Sequence, residues 1–195
     1  MVALIDTCSL RRLVEYYLPF DKDHTLVDFL THQYQKKELV VIDAVYEECK
    51  YQKKGEILKD LPFLASKTSI STLDIPIDKE INDIIDHRFR VQPAYRKLSE
   101  DESSRNQKYA VLKEKFMDTA DFRLILFANQ KNSIPDLFNE NIKVVTDETR
   151  NANDGKIFKK LPVCCELVNI TSENIVGYLK ENGVDINWII SENKQ

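Results

Sequence analysis

Short runs of consecutive apolar residues alternate along the chain with stretches that have helical periodicity. The runs predict buried strands, and the candidates are residues 2–6, 39–42, 69–75, 142–147 and 163–170. Apolar residues spaced by three or four predict helices at 9–17, 25–36, 44–53, 78–89, 103–129 (one helix or two) and 172–182. Residues 133–141 read as a connection or short helix around Pro135. Strands separated by helices predict an α/β fold, with a central parallel sheet of four to five strands flanked by helices.

Length and composition are those of an ordinary globular protein. The 195 residues predict a single domain, 1–195, with a helical insertion at about 76–116. A net charge of −4 argues against a broadly basic nucleic-acid-binding surface, but it is compatible with a nuclease whose clustered acids hold a metal. No apolar run is long enough to span a membrane and no signal peptide is recognisable, so we expect a cytoplasmic protein with reduced cysteines.

Four carboxylates stand where the predicted elements would bring them to one edge of the sheet. Asp6 and Asp147 follow apolar strands, and in parallel sheets ligands bind beyond the carboxyl ends of the strands. Helical phase places Glu48 beside the apolar stripe of its helix, whereas its neighbour Glu47 lies nearer solvent. A carboxylate next to an apolar core is costly unless it is paired, and a hard divalent cation is an economical shared partner for several of them.

Asp121 carries the strongest physical argument. Met117, Leu124, Ile125 and Ala128 surround it at helical spacing, so it projects from a buried stripe. Asp118, one turn earlier, is either a further ligand or an acid that stabilises a helix N-terminus.

The strand-end position of Asp147 leaves alternatives open. It could serve instead as a turn or cap residue, and Glu148 and Asp154 are neighbouring acids. Thr146 could hydrogen-bond a ligand carboxylate or a metal-bound water.

Several other site types find no support. The chain has no GxxxxGK[ST] or GxGxxG loop and no GxSxG elbow, and its first acidic block lacks the second aspartate of a DxD phosphatase. A zinc site from Cys8, Cys49 and Cys164 is conceivable, but the spacing favours buried apolar thiols. The histidines, likewise, lack metal-ligand spacing.

Four motifs in order resemble those of the PIN-domain family: ALIDTCSL, VVIDAVYEEC, DTADFRLILFAN and VVTDE. The resemblance implies a parallel sheet flanked by helices and cleavage of RNA with Mg²⁺ or Mn²⁺. Carried onto this chain it implies metal-binding acids at Asp6, Glu48, Asp121 and Asp147, with Thr7 and Thr146 as supporting hydroxyls. The chain departs from the family in having Cys8 where Asn or Ser is common and in the adjacency of Thr146 and Asp147.

The resemblance predicts a metal-dependent endoribonuclease whose metal, rather than a histidine, generates the nucleophile. Many small members are toxins, which implies an RNA substrate, an antitoxin protein and a homodimer as candidate partners. Basic residues that follow the acidic blocks are candidate phosphate contacts: Arg11, Arg12, Arg123, Arg150, Lys53 and Lys54. The alternatives are a catalytically silent PIN-like module that binds protein or RNA, and another metal-dependent α/β phosphohydrolase. The insertion could be a substrate clamp, an antitoxin surface or a dimer arm.

Overall fold

The computed structural model describes residues 1–66, 69–133, 142–150 and 155–186. Within them lies a parallel four-stranded sheet of order β2-β1-β3-β4. Its strands are β1 Val2–Ile5, β2 Leu39–Val40, β3 Ile142–Val145 and β4 Thr171–Glu173. Helices surround the sheet, so the α/β fold predicted from the sequence is confirmed. The predicted connection at 133–141 falls largely outside the described residues.

Ten α-helices are present in the described part of the chain. They are α1 Thr7–Arg12, α2 Thr25–Gln35, α3 Asp43–Tyr51, α4 Glu56–Asp60, α5 Lys79–Ile84, α6 Gln92–Arg96, α7 Glu102–Met117, α8 Ala120–Ser133, α9 Leu161–Leu167 and α10 Ile175–Glu181. Two π-helical turns, Leu13–Tyr17 and Ile85–Phe89, extend α1 and α5. Short 3-10 segments are Leu18–Phe20, Gln52–Gly55 and Pro62–Ser66. No described helix has both the length and the apolar character needed to cross a membrane.

The two central strands set the position of the site. Three of the four residues of β1 and all four of β3 are buried, because helices cover both faces of the sheet. In their register Ile5 lies opposite Val145, so both strands end at the same level. The residues that follow them, Asp6 and Thr146, therefore meet at one edge.

The prediction of a strand at 163–170 is wrong. These residues lie mainly in α9, which has Pro162 in its first turn, where the absent N–H of proline costs no helical hydrogen bond. The edge strand β4 follows, and its sequence Thr-Ser-Glu contains no apolar run that would predict burial. The candidate strand at 69–75 is reduced to a single parallel bridge between Ile42 and Ile70.

The long helical prediction at 103–129 is resolved into two helices, α7 and α8. Asp101 caps α7, because its carboxylate accepts a hydrogen bond from the Ser104 amide. The helices α5, α6 and α7 occupy the region predicted as an insertion. Gly183, with φ +72°, adopts the left-handed conformation predicted for a residue that follows a helix.

Candidate functional site

Asp6 lies at the carboxyl end of β1 and is 5% exposed. Its Oδ2 accepts hydrogen bonds from Cys8 Sγ at 2.7 Å and Thr146 Oγ1 at 2.9 Å. Burial raises the pKa of Asp6, the charge of Glu48 adds to this, and the two hydrogen bonds oppose it. Two donors thus hold one carboxylate oxygen in a site where negative charge is costly.

Glu48 faces the same site from α3. Its Oε2 accepts a hydrogen bond from Thr7 Oγ1 at 2.7 Å, which ties α3 to the start of α1. Glu47 points away, because its side chain is 51% exposed and lies 3.4 Å from Lys50 Nζ. Helical phase therefore distinguished the two glutamates correctly in position, and the role of Glu48 as a ligand stays a prediction.

Asp121 is the second residue of α8, and buried apolar residues flank it on both sides. Burial raises its pKa to about 7, with further contributions from the negative charges of Asp6, Glu148 and Glu48. Lys156 opposes this shift. No residue in the described part of the chain donates a hydrogen bond to the carboxylate. Asp121 thus lies within electrostatic reach of three other acids and has little to stabilise its charge.

Asp147, one of the four acids that the resemblance implies, has a carboxylate whose contacts join three elements. Its Oδ2 accepts hydrogen bonds from Ser9 Oγ at 2.7 Å and from the Ile175 amide at 3.3 Å. Arg12 lies 3.7 Å from Oδ1, and the side chain is 5% exposed. These contacts link the end of β3 to α1 and to the start of α10.

Glu148 is the acid of this block that approaches Asp121. Both residues line a cavity of about 440 Å³ beside the 155–160 segment. Its Oε2 accepts a hydrogen bond from the Leu161 amide at 2.8 Å, at the start of α9. The signal that could have found Glu148 is strand alternation. Residues 146 and 148 share a side of an extended chain, and Thr146 already faces Asp6.

The other predicted residues are engaged in local ion pairs. The side chain of Asp118 is 80% exposed and lies 3.6 Å from Arg123, whose guanidinium also donates to the Thr72 carbonyl at 3.3 Å. Arg11 is 4.0 Å from Glu15, and Arg150 is 3.0 Å from Glu166. The side chains of Lys53 and Lys54 and the whole of Asp154 lie outside the described part of the structure.

All four cysteines are free, and each thiol lies within electrostatic reach of at least one acid of the cluster. Burial and the nearby charge of Asp6 raise the pKa of Cys8 to about 12, so its thiol remains a hydrogen-bond donor. Burial likewise raises the pKa of Cys49 and of Cys165 to about 12, with contributions from charges of the cluster. Protonated thiols are small apolar groups, as the sequence predicted.

The donor chemistry of the site is that of hard oxygen ligands. Asp6, Glu48, Asp121 and Glu148 are carboxylates, and Thr7 and Thr146 hydroxyls support two of them. In the described residues, no three His, Cys, Asp or Glu side chains are already arranged to hold a metal ion. The cluster thus matches a divalent-cation site in donor type and in negative charge, but its described acids are not already positioned as a ligand set.

One comparison with known proteins gives a match. A family model described as "Domain of unknown function (DUF4411)" matches residues 4–186. No curated protein and no solved structure matches the chain.

Proposed function

The chain belongs to the DUF4411 family, and we propose that it is a metal-dependent endoribonuclease that hydrolyses RNA phosphodiesters using Mg²⁺ or Mn²⁺. The observation that carries this proposal is the environment of Asp121. Its carboxylate is half-buried, lacks a hydrogen-bond donor among the described residues and is repelled by Asp6, Glu148 and Glu48. A divalent cation bound among these acids would offset that repulsion, which a surface acid or a helix cap would not require.

We assign the metal ligands to Asp6, Glu48, Asp121 and Glu148. Glu148 replaces Asp147 in this set, because the Asp147 carboxylate is occupied by Ser9, Ile175 and Arg12. When bound, the metal supplies a water of lowered pKa and stabilises the leaving oxygen.

The remaining residues hold the ligands in place. Thr7 fixes one oxygen of Glu48, and Thr146 and Cys8 fix one oxygen of Asp6. The Leu161 amide likewise holds one oxygen of Glu148. These hydrogen bonds would orient the ligands as outer partners do in metal sites.

Calorimetry with MnCl₂ and cleavage of a labelled single-stranded RNA test the proposal. The wild type is expected to bind Mn²⁺ and cleave the RNA. In Asp6→Asn and Asp121→Asn, both the Mn²⁺ affinity and the cleavage rate are expected to fall by at least about a hundredfold. A toxin role predicts that induced expression of the wild type arrests growth and that Asp121→Asn does not.

The adjacent glutamates provide a matched control. Glu48→Gln is expected to behave like Asp121→Asn, while Glu47→Gln keeps wild-type binding and cleavage because its side chain is solvated. Wild-type protein that neither binds Mn²⁺ nor cleaves RNA would show a catalytically silent module. Hydrolysis of p-nitrophenyl phosphate without RNA cleavage would show another phosphohydrolase.

A further inference from the structure

The cavity beside Asp121 and Glu148 combines acidic, basic and apolar walls. It has a volume of about 440 Å³ and lies between the end of α7 and the 155–160 segment. Besides the two acids, the lining residues that matter here are Lys115, Lys156, Phe116 and Phe158. Lys159 and Lys160 add further positive charge to the same wall.

The helical insertion is attached directly to this wall. Arg90 and Phe158 form an antiparallel bridge. The Val91 amide donates to the Ile157 carbonyl at 2.8 Å, and the Lys159 amide donates to the Phe89 carbonyl at 3.0 Å. The 155–160 segment is therefore positioned by the insertion, and it leads into α9, whose first amide is held by Glu148.

Aromatic packing completes the attachment. The rings of Phe116 and Phe158 stack with centroids 4.2 Å apart and an interplanar angle of 14°. Tyr109, also on α7, packs against Phe158 with centroids 5.8 Å apart. The end of α7 and the 155–160 segment thus form one continuous wall.

The charge distribution indicates what would occupy this cavity. The acids at one end would hold the cation, while the lysines favour an anion next to it. Lys115 is exposed and makes no ion pair within the described part of the chain. A ligand that contacts all three walls would place a phosphate against the lysines and the metal, and a sugar or base against the phenylalanine rings.

We propose that the insertion formed by α5, α6 and α7 is a substrate clamp, and that its cavity binds one nucleotide of an RNA strand next to the scissile phosphate. The inference rests on the proposed function, because it takes the strand to be the substrate of the Asp121 site. It assigns the insertion to RNA rather than to a protein partner or a dimer contact.

Fluorescence anisotropy with a labelled single-stranded RNA of mixed sequence, in EDTA so that hydrolysis is off, tests the clamp. Lys115→Glu is expected to weaken binding about tenfold. Lys115→Ala is expected to reduce the slope of log association constant against log salt concentration by about 0.7 in magnitude, which is the contribution of one phosphate contact in a single strand. Lys22→Glu is the matched control, because Lys22 is exposed, carries the same charge change and does not line the cavity.

A second measurement keeps the test independent of any one lysine. RNA containing 4-thiouridine is crosslinked to the wild type, and the attached peptides are mapped. Crosslinks within residues 112–119 or 155–160 support the clamp. Crosslinks confined to other parts of the chain, or wild-type protein that does not bind RNA, would overturn it.

The failures of the two proposals are distinguishable. If Lys115→Glu binds and cleaves RNA like Lys22→Glu, the clamp is wrong and the nuclease stands. If RNA binds through the cavity but is not cleaved with Mg²⁺ or Mn²⁺, the nuclease is wrong, and what stands is RNA binding by the cavity without a scissile phosphate.

Discussion

At the scale of single residues, the two neighbouring acids after β3 have different surroundings. Asp147 joins α1 and α10 to the strand end, whereas Glu148 reaches the cavity next to Asp121. The sequence alone did not distinguish Asp147 from Glu148 as the acid that faces the cluster, because an apolar run followed by two adjacent acids is compatible with either orientation. The side-chain partner of Thr146 decides it, since Thr146 donates to Asp6 and fixes which side of the chain faces the cluster.

This difference predicts opposite effects of substitution. Glu148→Gln is expected to reduce Mn²⁺ affinity at least about tenfold while the protein stays about as stable as the wild type, because the amide oxygen can still accept from Leu161. Asp147→Ala is expected to keep Mn²⁺ binding and to lower the free energy of unfolding by about 1–3 kcal/mol, because the partners of a buried acceptor are left unpaired. Calorimetry and urea denaturation of both variants separate these outcomes. Loss of Mn²⁺ binding in Asp147→Ala with normal binding in Glu148→Gln would restore Asp147 as the ligand.

At the scale of elements, hydrogen bonds to Thr72 link the two helices that carry Glu48 and Asp121. Asp43 at the start of α3 accepts hydrogen bonds from Thr72 Oγ1 at 2.6 Å and from the Thr72 amide at 2.9 Å. Arg123 of α8 donates to the Thr72 carbonyl. Burial tends to raise the pKa of Asp43, but the hydrogen bonds from Thr72, Ala44 and Ser71 lower it overall, so the charged form is favoured.

Removing this acid is therefore expected to be more costly than removing an ordinary helix cap. Asp43→Ala should lower the free energy of unfolding by about 2–3 kcal/mol, since it leaves several donors unpaired. Asp78→Ala is the comparison, because Asp78 caps α5 with one hydrogen bond from the Ile81 amide and should cost about 1 kcal/mol. Urea denaturation measures the free energy of unfolding of both variants. Equal losses would argue that the Asp43–Thr72 hydrogen bonds add nothing beyond an ordinary helix cap.

Helices and strands were predictable from the sequence where the hydrophobic periodicity was strong and the flanking residues favoured the same type of element. β1 is apolar on both faces, as a buried parallel strand requires, and β3 is apolar except for Lys143, whose ammonium pairs with Glu173 and Glu181. The helix α2 follows its helical spacing from Thr25. The apolar run at 163–170 fits a buried strand or a buried helix equally well, and the proline at its start favoured the helix. β4 was missed because an exposed edge strand of three polar residues is specified by its pairing with β3 and not by its own sequence.

At the scale of the whole molecule, the acidic cluster is a site where repulsion between like charges lowers stability, as the proposed metal site requires. Its four carboxylates follow β1, lie on α3 and α8, and follow β3, so their repulsion acts on how these elements pack together. Sequence reasoning selected Asp6 because it ends an apolar run, Asp121 because it interrupts an apolar stripe, and Glu48 because its helical phase places it beside one. It did not reveal the basic wall at 155–160, since the insertion that positions this wall is distant from it in sequence.

The cluster predicts how global stability depends on pH. The folded-state pKa of Asp121 is about 7, above its value of about 3.9 in an unfolded chain. A group whose pKa is raised by folding contributes stability that is fully present below the unfolded pKa and is lost as the pH rises through the folded one. In EDTA, the stability of the wild type relative to Asp121→Asn is therefore expected to fall between pH 4 and pH 7, by up to about 1.4 kcal/mol per pH unit.

Urea denaturation of both proteins between pH 4 and pH 8 measures this difference. Because Asp121 and Asp6 repel each other, the difference between the two proteins reports the titration of Asp121 coupled to that of Asp6. Added Mg²⁺ should restore stability to the wild type at pH 8, because a ligand that binds only the folded state stabilises it, and should have much less effect on Asp121→Asn. A difference between the two proteins that is the same at every pH would show that the Asp121 carboxylate is solvated, and would remove the electrostatic argument for a cation at this site.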